Sequence, residues 1–460
     1  MKKDEKVKEV SFEEKIPNKK KKNVKEKKKE IKKENKNSKI DINIEEKEVK
    51  KSDDHSDEKA TIGSFIELIL IIIFIIVVLV FFPHSIIWNI VVLLLMLSVL
   101  IFVHEFGHFI MAKKFNVYVY EFAIGMGPLV LSFRRKGDPT LYSLRALPIG
   151  GYNQLAGESY EDDDTIPKDM QLCNKPKYQR LLILVAGVCM NLILAIILLF
   201  FISLCAGSRD TSTYITGVIP DSPAYEAGVR EGDSVVSIEG YRTYTWNDMA
   251  VSLTINQKKG SYDYKIKRQD GSEFTTTITP SKYLIYNDNY YKITDENTEE
   301  KIVSDNNIPE GEYIVSDLIG ISASSEVKHG LKDALSYAGS TFICLIRTMY
   351  ACLYGLVTGK LGLDSLSGPV GMYKIVDQAS AFGFANIVYL TAYLSINLAV
   401  INILPFPAFD GGHVLFVLIE LITGHRVNEK VENAFHTVGF ILLMILILLV
   451  TWHDITTLIG

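Results

Sequence analysis

Apolar residues in this chain are gathered into blocks of membrane length separated by polar stretches. Gly63 to Phe82 is 20 residues with only Glu67 charged, which meets the roughly 20 needed to cross a hydrocarbon core. A signal peptide would need a small-residue cleavage site, and Phe81-Phe82-Pro83 does not offer one. A span is therefore expected at 63–82. Ile86 to Val103 is a second apolar run, and Leu181 to Ala206 a third, 26 residues without a formal charge. Gln378 to Phe409 has 32 uncharged residues and ends at Asp410, and Ala434 to Trp452 completes five expected spans. Leu331 to Lys360 is apolar too, but it carries Arg347 at its centre, so a helix lying in the interface is expected over 331–360.

The polar stretches divide the rest. Residues 113–180 are Gly-rich; Pro128 to Arg135 alternates with period 2 and reads as a strand, with Leu141 to Arg145 as its partner. Residues 207–330, with 12 basic and 20 acidic side chains, read as a folded extramembrane domain. The composition fits this division: 460 residues, 48% hydrophobic, 22% charged, with mean hydropathy +0.16. Residues 1–60 hold 21 of the 49 Lys and Arg, and almost no aromatics. Such a stretch cannot repay the entropy of ordering, so a disordered tail is expected. The net charge of −5 then leaves −10 beyond residue 60, which removes the case for a nucleic-acid-binding core. The five cysteines form no C-x-x-C pair and indicate no disulfide framework. Ten Lys or Arg between 113 and 180 put that segment and the basic tail on the cytoplasmic side, and the acidic 207–330 domain outside.

The chemistry is carried by two segments. His104 and His108 are four apart on an expected helix, so both imidazoles leave one face and can share a zinc ion. Glu105, about 100° round, stands in the general-base position of the H-E-x-x-H motif. Ionisable groups at the end of an apolar helix are functional candidates by default. A hydrolytic zinc site needs a third protein ligand, and Asp410 is the candidate, since it closes the 32-residue neutral run. Pro405 and Pro407 cannot continue a regular helix and Gly411-Gly412 permits sharp turns, so the span is broken where Asp410 is displayed. Irregular backbone at membrane depth persists only where it lines a cavity or is buried in protein.

Phe102-x-His104-Glu105-x-x-His108, Asn402-x-x-Pro405-x-Pro407-x-x-Asp410-Gly411 and Gly187-x-x-x-Asn191-x-x-x-Ala195 together resemble the site-2 protease family of intramembrane zinc metalloproteases. The resemblance covers about residues 86–455. It implies that His104, His108 and Asp410 hold Zn2+ and that Glu105 activates water. It also implies that Asn397 and Asn402 hold the substrate backbone. Gly187 and Asn191 read as close packing and interhelical hydrogen bonding. Phe409 stands where the family usually has Leu.

Gly217 to Ala224 followed by Ala227 to Gly240 is similar to a PDZ domain of the bacterial protease type, expected over 214–283, a module that captures extended peptide termini. With Ser367-Gly-Pro-Val-Gly371, this resembles the PDZ-bearing regulator-of-sigma protease branch. The implied fold is an α-helical multi-pass membrane protein with an inserted α+β extramembrane PDZ domain and a small membrane-associated β element. The first half of its core covers 86–206 and the second 384–455, and residues 284–330 stay unassigned. The implied activity is hydrolysis within the membrane segments of single-span proteins already trimmed outside, such as anti-sigma factors or remnant signal peptides. The implied setting is a bacterial cell membrane, with the N-terminus cytoplasmic and the tail near partners or lipid. A catalytically inactive PDZ-bearing membrane scaffold is the alternative; it predicts loss of His104, Glu105, His108 or Asp410, and all four are present.

Overall fold

The computed structural model describes residues 62–459 except 84, 159–164, 288, 310–312, 325 and 363–364. The charged tail expected over 1–60 lies outside the described residues. Helix α1 (Ile62–Phe81) leads into α2 (Ile86–Lys114). Ser85 starts α2 by accepting from the Trp88 N–H at 3.1 Å, and Lys113 and Lys114 complement the dipole of its last turn. As expected, the apolar run from Ile86 and the histidine motif form one helix, which continues to Lys114. Strands β1 (Val119–Arg134) and β2 (Leu141–Leu155) follow, then α3 (Lys177–Ala206).

β1 and β2 are much longer than the expected strands, and both fold over themselves. Phe122 lies opposite both Asn153 and Tyr142, and the register shifts around Gly125 and Gly127, whose positive φ values allow the bend. Polar groups hold the interior of this sheet: the Glu121 carboxylate accepts from Arg145 at 2.8 Å, Tyr152 at 2.6 Å, and Ser143. Its outer surface exposes Ile124, Met126, Phe133 and Leu147.

Beyond α3 the extramembrane elements run β3 (Ser208–Arg209), β4 (Gly217–Val218), α4 (Pro223–Glu226), β5 (Ser234–Ile238), β6 (Tyr241–Arg242), α5 (Trp246–Ile255), β7 (Tyr262–Lys267) and β8 (Glu273–Ile278). Strands β5 to β8 form one antiparallel sheet in the order β6-β5-β7-β8. In β7 the period-2 pattern turns Tyr262, Tyr264 and Ile266 into a core with Ile215, Val235, Ile238 and Met249. This unit does not close at 283 as expected. Strands β9 (Ser281–Tyr286), β10 (Asn289–Lys292) and β11 (Ile314–Leu318), with α6 (Glu299–Asp305), form a separate small layer around Leu284, Ile302 and Ile308. The chain then returns: Ile319 and Ile321 pack on the first core, and β12 (Ile321–Ser322) pairs with β4. The stretch left unassigned at 284–330 thus holds most of an insertion, which ends with β11, and then the domain's last strand, β12. Strand β13 (Val327–Lys328) pairs with β3 and brings the chain back to the end of α3.

The remaining helices are α7 (Leu331–Val357), α8 (Pro369–Ala381), α9 (Phe384–Ile403), α10 (Asp410–Thr423) and α11 (Glu429–Ile459). Among the described residues, α2, α3, α7, α9 and α11 are long and apolar enough to cross a membrane, so the body is that of a multi-pass membrane protein; α7, expected in the interface, is one of the five, whereas α1, expected to span, counts only as a shorter apolar helix over Ile69–Phe81. One face of α7 joins Ala195 and Leu199 of α3 and Ala392 and Ile396 of α9 in a common core, where the small residues allow close approach. Its other face meets the extramembrane unit: Cys344 Sγ lies 3.0 Å from Thr245 Oγ1, and Arg347 pairs with the fully buried Asp248 at 3.1 Å. Asp248 also closes the capping box that starts α5.

Candidate metal centre

On α2 the spacing of four puts His104 and His108 on one face, both buried, with their Nε2 atoms 3.1 Å apart. The His104 motif stands ten residues from the end of α2, about 15 Å at the helical rise. Asp410 arrives from the break between α9 and α10. Pro405 biases Leu404 to extended backbone (φ −62°, ψ 141°), which ends α9. Ala408 then takes φ +71°, and Asp410 opens α10. Gly411 is required here, since a Cβ would stand 1.9 Å from the Leu404 carbonyl oxygen. The outcome is that Asp410 Oδ2 lies 2.9 Å from His104 Nε2 and 3.3 Å from His108 Nε2.

Two of these three atoms, His108 Nε2 and Asp410 Oδ2, are acceptors facing one another, and the third, His104 Nε2, joins them when its ring proton sits on Nδ1. His108 Nδ1 is 2.8 Å from the Ile183 carbonyl oxygen, which can only accept, so the ring proton sits on Nδ1 and Nε2 presents a lone pair. Asp410 Oδ2 is shielded and has no hydrogen-bond donor. With His104 protonated on Nδ1 the three lone pairs converge, and a cation between them relieves their repulsion. A tetrahedral ion with ligands at about 2.0–2.1 Å needs neighbouring donor atoms about 3.3 Å apart, and the observed edges of 2.9 to 3.3 Å suit it. Glu105, half-buried on the next position of α2, interacts electrostatically with both histidines and Asp410.

Residues 92–446 match the family model described as Peptidase family M50. The chain belongs to peptidase family M50. It is similar to the zinc metalloprotease RasP of Shouchella clausii, 31% identical over 438 residues, covering 78% of this chain and 97% of that one. The regulator of sigma-W protease RasP of Bacillus subtilis is 28% identical over 445 residues, covering 80% and 98%. A Clostridium acetobutylicum protein is 36% identical over 369 residues, covering 80% and 97%. This M50 chain is accordingly a membrane metalloendopeptidase of the site-2 protease type.

Two residues expected only to pack helices stand against the M50 centre itself. A Cβ on Gly187 would lie 2.5 Å from His108 Nε2 and 2.8 Å from His104 Nε2, so the missing side chain is the room in which an ion would sit. Gly107 complements it, letting α2 come so close to α3 that a Cβ there would meet the Ala186 carbonyl oxygen at 2.4 Å. As placed, Nδ2 of the fully buried Asn191 lies 3.3 Å from His104 Nδ1, and its Oδ1 has no partner, so the amide is better satisfied with its two ends exchanged. With Oδ1 turned to the ring it accepts the Nδ1 proton, which leaves Nε2 free to ligate. Both contacts depend on how α3 crosses α2, which no sequence pattern reports. Asn397 and Asn402 lie on α9, five residues and so about 140° apart. Asn397 Oδ1 is shielded and unpartnered. A second group, His413 of α10 with Glu432 and His436 of α11, was not foreseen from the sequence.

Proposed function

We propose that this chain is a zinc-dependent intramembrane protease, cleaving within the transmembrane segments of single-span proteins already shortened on the extracytoplasmic side. Anti-sigma factors and remnant signal peptides are the substrate classes. His104, His108 and Asp410 hold the zinc. The convergence of their three lone-pair atoms at a helix break carries this reading. When bound, zinc polarises the scissile carbonyl and lowers the pKa of water. Glu105 takes the proton of the attacking water and delivers it to the leaving amine. Asn397 and Asn402 hold the unwound substrate backbone, and the unpartnered Asn397 Oδ1 suits acceptance from a peptide N–H.

The β1–β2 sheet is a membrane-associated element whose edge pairs with the substrate; its exposed Ile124, Met126, Phe133 and Leu147 support that placement. It leaves the membrane body at the Lys113–Arg180 end of α2 and α3, where basic residues cluster, which supports a cytoplasmic N-terminus and that side for the hairpin. The extramembrane unit leaves from the opposite end of α3 and is extracytoplasmic in the bacterial cell membrane. We read it as a PDZ domain; Ile319-Gly320-Ile321 returning beside β4 supports this and extends it from 214 to 322. Its peptide-binding edge filters substrates by the size of their outer part. Helix α7 is long and apolar enough to cross, yet we read it as lying in the interface beneath this unit; its contacts with Thr245, Asp248 and Ile255 along several turns support that reading.

The test compares single-span reporters with and without an outer domain, reconstituted with the enzyme, with the cleavage site read by mass spectrometry. A cut inside the span, seen only in the trimmed reporter and abolished by chelator, is expected. A cut outside the span would overturn the intramembrane reading, and equal cutting of both reporters would overturn the filter.

A further inference from the structure

Ala408, two residues before Asp410, has φ +71°, a left-handed conformation that a residue with a Cβ adopts only at a cost. Something must therefore hold the turn, and α11 supplies the contacts. The Ala408 N–H donates to His436 Nδ1 at 3.1 Å. One turn along α11, Gly439 lets Pro407 approach so closely that a Cβ there would meet Pro407 Cβ at 1.8 Å. His436 is in turn clamped: its ring stacks on His413 of α10 with centroids 4.0 Å apart and planes 17° apart, and His413 Nδ1 lies 3.2 Å from the buried Glu432. Gly412 clears the remaining space, since a Cβ there would stand 2.8 Å from His436 Cε1.

His413, Glu432 and His436 also lie close enough for an ion, but the hydrogen bond argues otherwise. A neutral His436 whose Nδ1 accepts the Ala408 N–H carries its proton on Nε2 and has no lone pair left to ligate. We propose that His436 is a positioning residue: it locks the 405–409 turn in the conformation that aims Asp410 at the two histidines. The inference rests on the reading of Asp410 as a metal ligand.

The test measures zinc affinity of the detergent-purified full chain by chelator competition, with the visible d–d bands of the Co2+ form as a second readout. His436→Leu removes the acceptor and should lower affinity about 10- to 100-fold, the range for lost outer-shell support, with altered cobalt bands. His436→Asn keeps an acceptor oxygen near the Nδ1 position and should restore both. Ala408→Gly in the His436→Leu background removes the cost of the positive φ and should recover most of the affinity, which a merely structural role for His436 would not allow. Wild-type affinity in His436→Leu, with Asp410→Asn weakened, would overturn this inference alone. Wild-type affinity in Asp410→Asn would overturn the ligand reading beneath it. Equal weakness of His436→Leu with and without Ala408→Gly, or a second ion per chain lost on His436→Leu, would also overturn the inference.

Discussion

Replacing Gly187 by alanine asks whether the space facing the two imidazoles is the ion's space. The added Cβ would lie 2.5 Å from His108 Nε2, 2.7 Å from His104 Cε1 and 2.8 Å from His104 Nε2. Ordinary contact needs about 3.5 Å, so something must move by nearly 1 Å. The helices cannot separate cheaply, because Gly107 and the Ala186 carbonyl already hold α2 against α3. The relief comes from rotating the imidazoles, for His108 against its Nδ1 hydrogen bond to the Ile183 carbonyl, and that breaks the convergence of their Nε2 atoms on Asp410. Displaced ligands of this kind cost about 10- to 100-fold in metal affinity, equivalent to roughly 1.4–2.8 kcal/mol. A misplacement of about 1 Å at the chemistry costs about 100-fold in rate. Chelator competition in detergent measures the first and reporter cleavage the second. Gly339 of α7 has nothing within 4 Å of where a Cβ would be, so Gly339→Ala is the matched control and should keep both within error. A Gly187→Ala enzyme with wild-type zinc affinity would refute the assignment of this space to the ion.

Three further outcomes follow from neighbouring contacts. Asn191→Leu removes the group that faces His104 Nδ1 and should weaken zinc by about 10-fold or more, read in the same competition assay. Arg180 pairs with Glu420 at 2.7 Å, both buried, and so ties α3 to the helix that begins with Asp410. Glu420→Gln removes the negative charge that Arg180 faces and should cost up to about 3–5 kcal/mol, seen as an earlier thermal transition, whereas replacing both partners by apolar residues should recover much of it. In the turn between β1 and β2, burial pushes the Asp138 carboxyl up, but hydrogen bonds from Lys113, the Thr140 N–H and Tyr142 outweigh it and hold it well below the usual range. A depressed folded pKa gives stability that is complete above the ordinary carboxylate value near 4 and lost as pH falls below it. Protease cutting of this hairpin should therefore rise between about pH 4 and pH 2 in the wild type, and Asp138→Asn should flatten that rise.

The centre was legible in the sequence because its parts are local. Two histidines four apart need only a helix to share a face, and Pro405 with Pro407 announces a break wherever it falls. The same locality explains what was missed. Asn191 and Gly187 gain their roles only when α3 crosses α2 at close range, and the period of an all-apolar helix does not say which face that is. The extramembrane unit was cut short at 283 because its last strand pairs with Gly217 and Val218 across about a hundred residues, behind an insertion whose small core rests on Leu284, Ile302 and Ile308. In α7 the central Arg347 was a legible anomaly; its partner Asp248, 99 residues earlier in the sequence, was not.

Glu105→Gln, with zinc content and cleavage measured on the same reconstituted preparation, tests the central claim most directly. The variant should keep one zinc per chain and lose about 100-fold or more in cleavage of the trimmed reporter, the contribution of a positioned general base. Undiminished cleavage with zinc retained would contradict the assignment of Glu105, and cleavage by a wild-type enzyme stripped of metal would contradict the account as a whole.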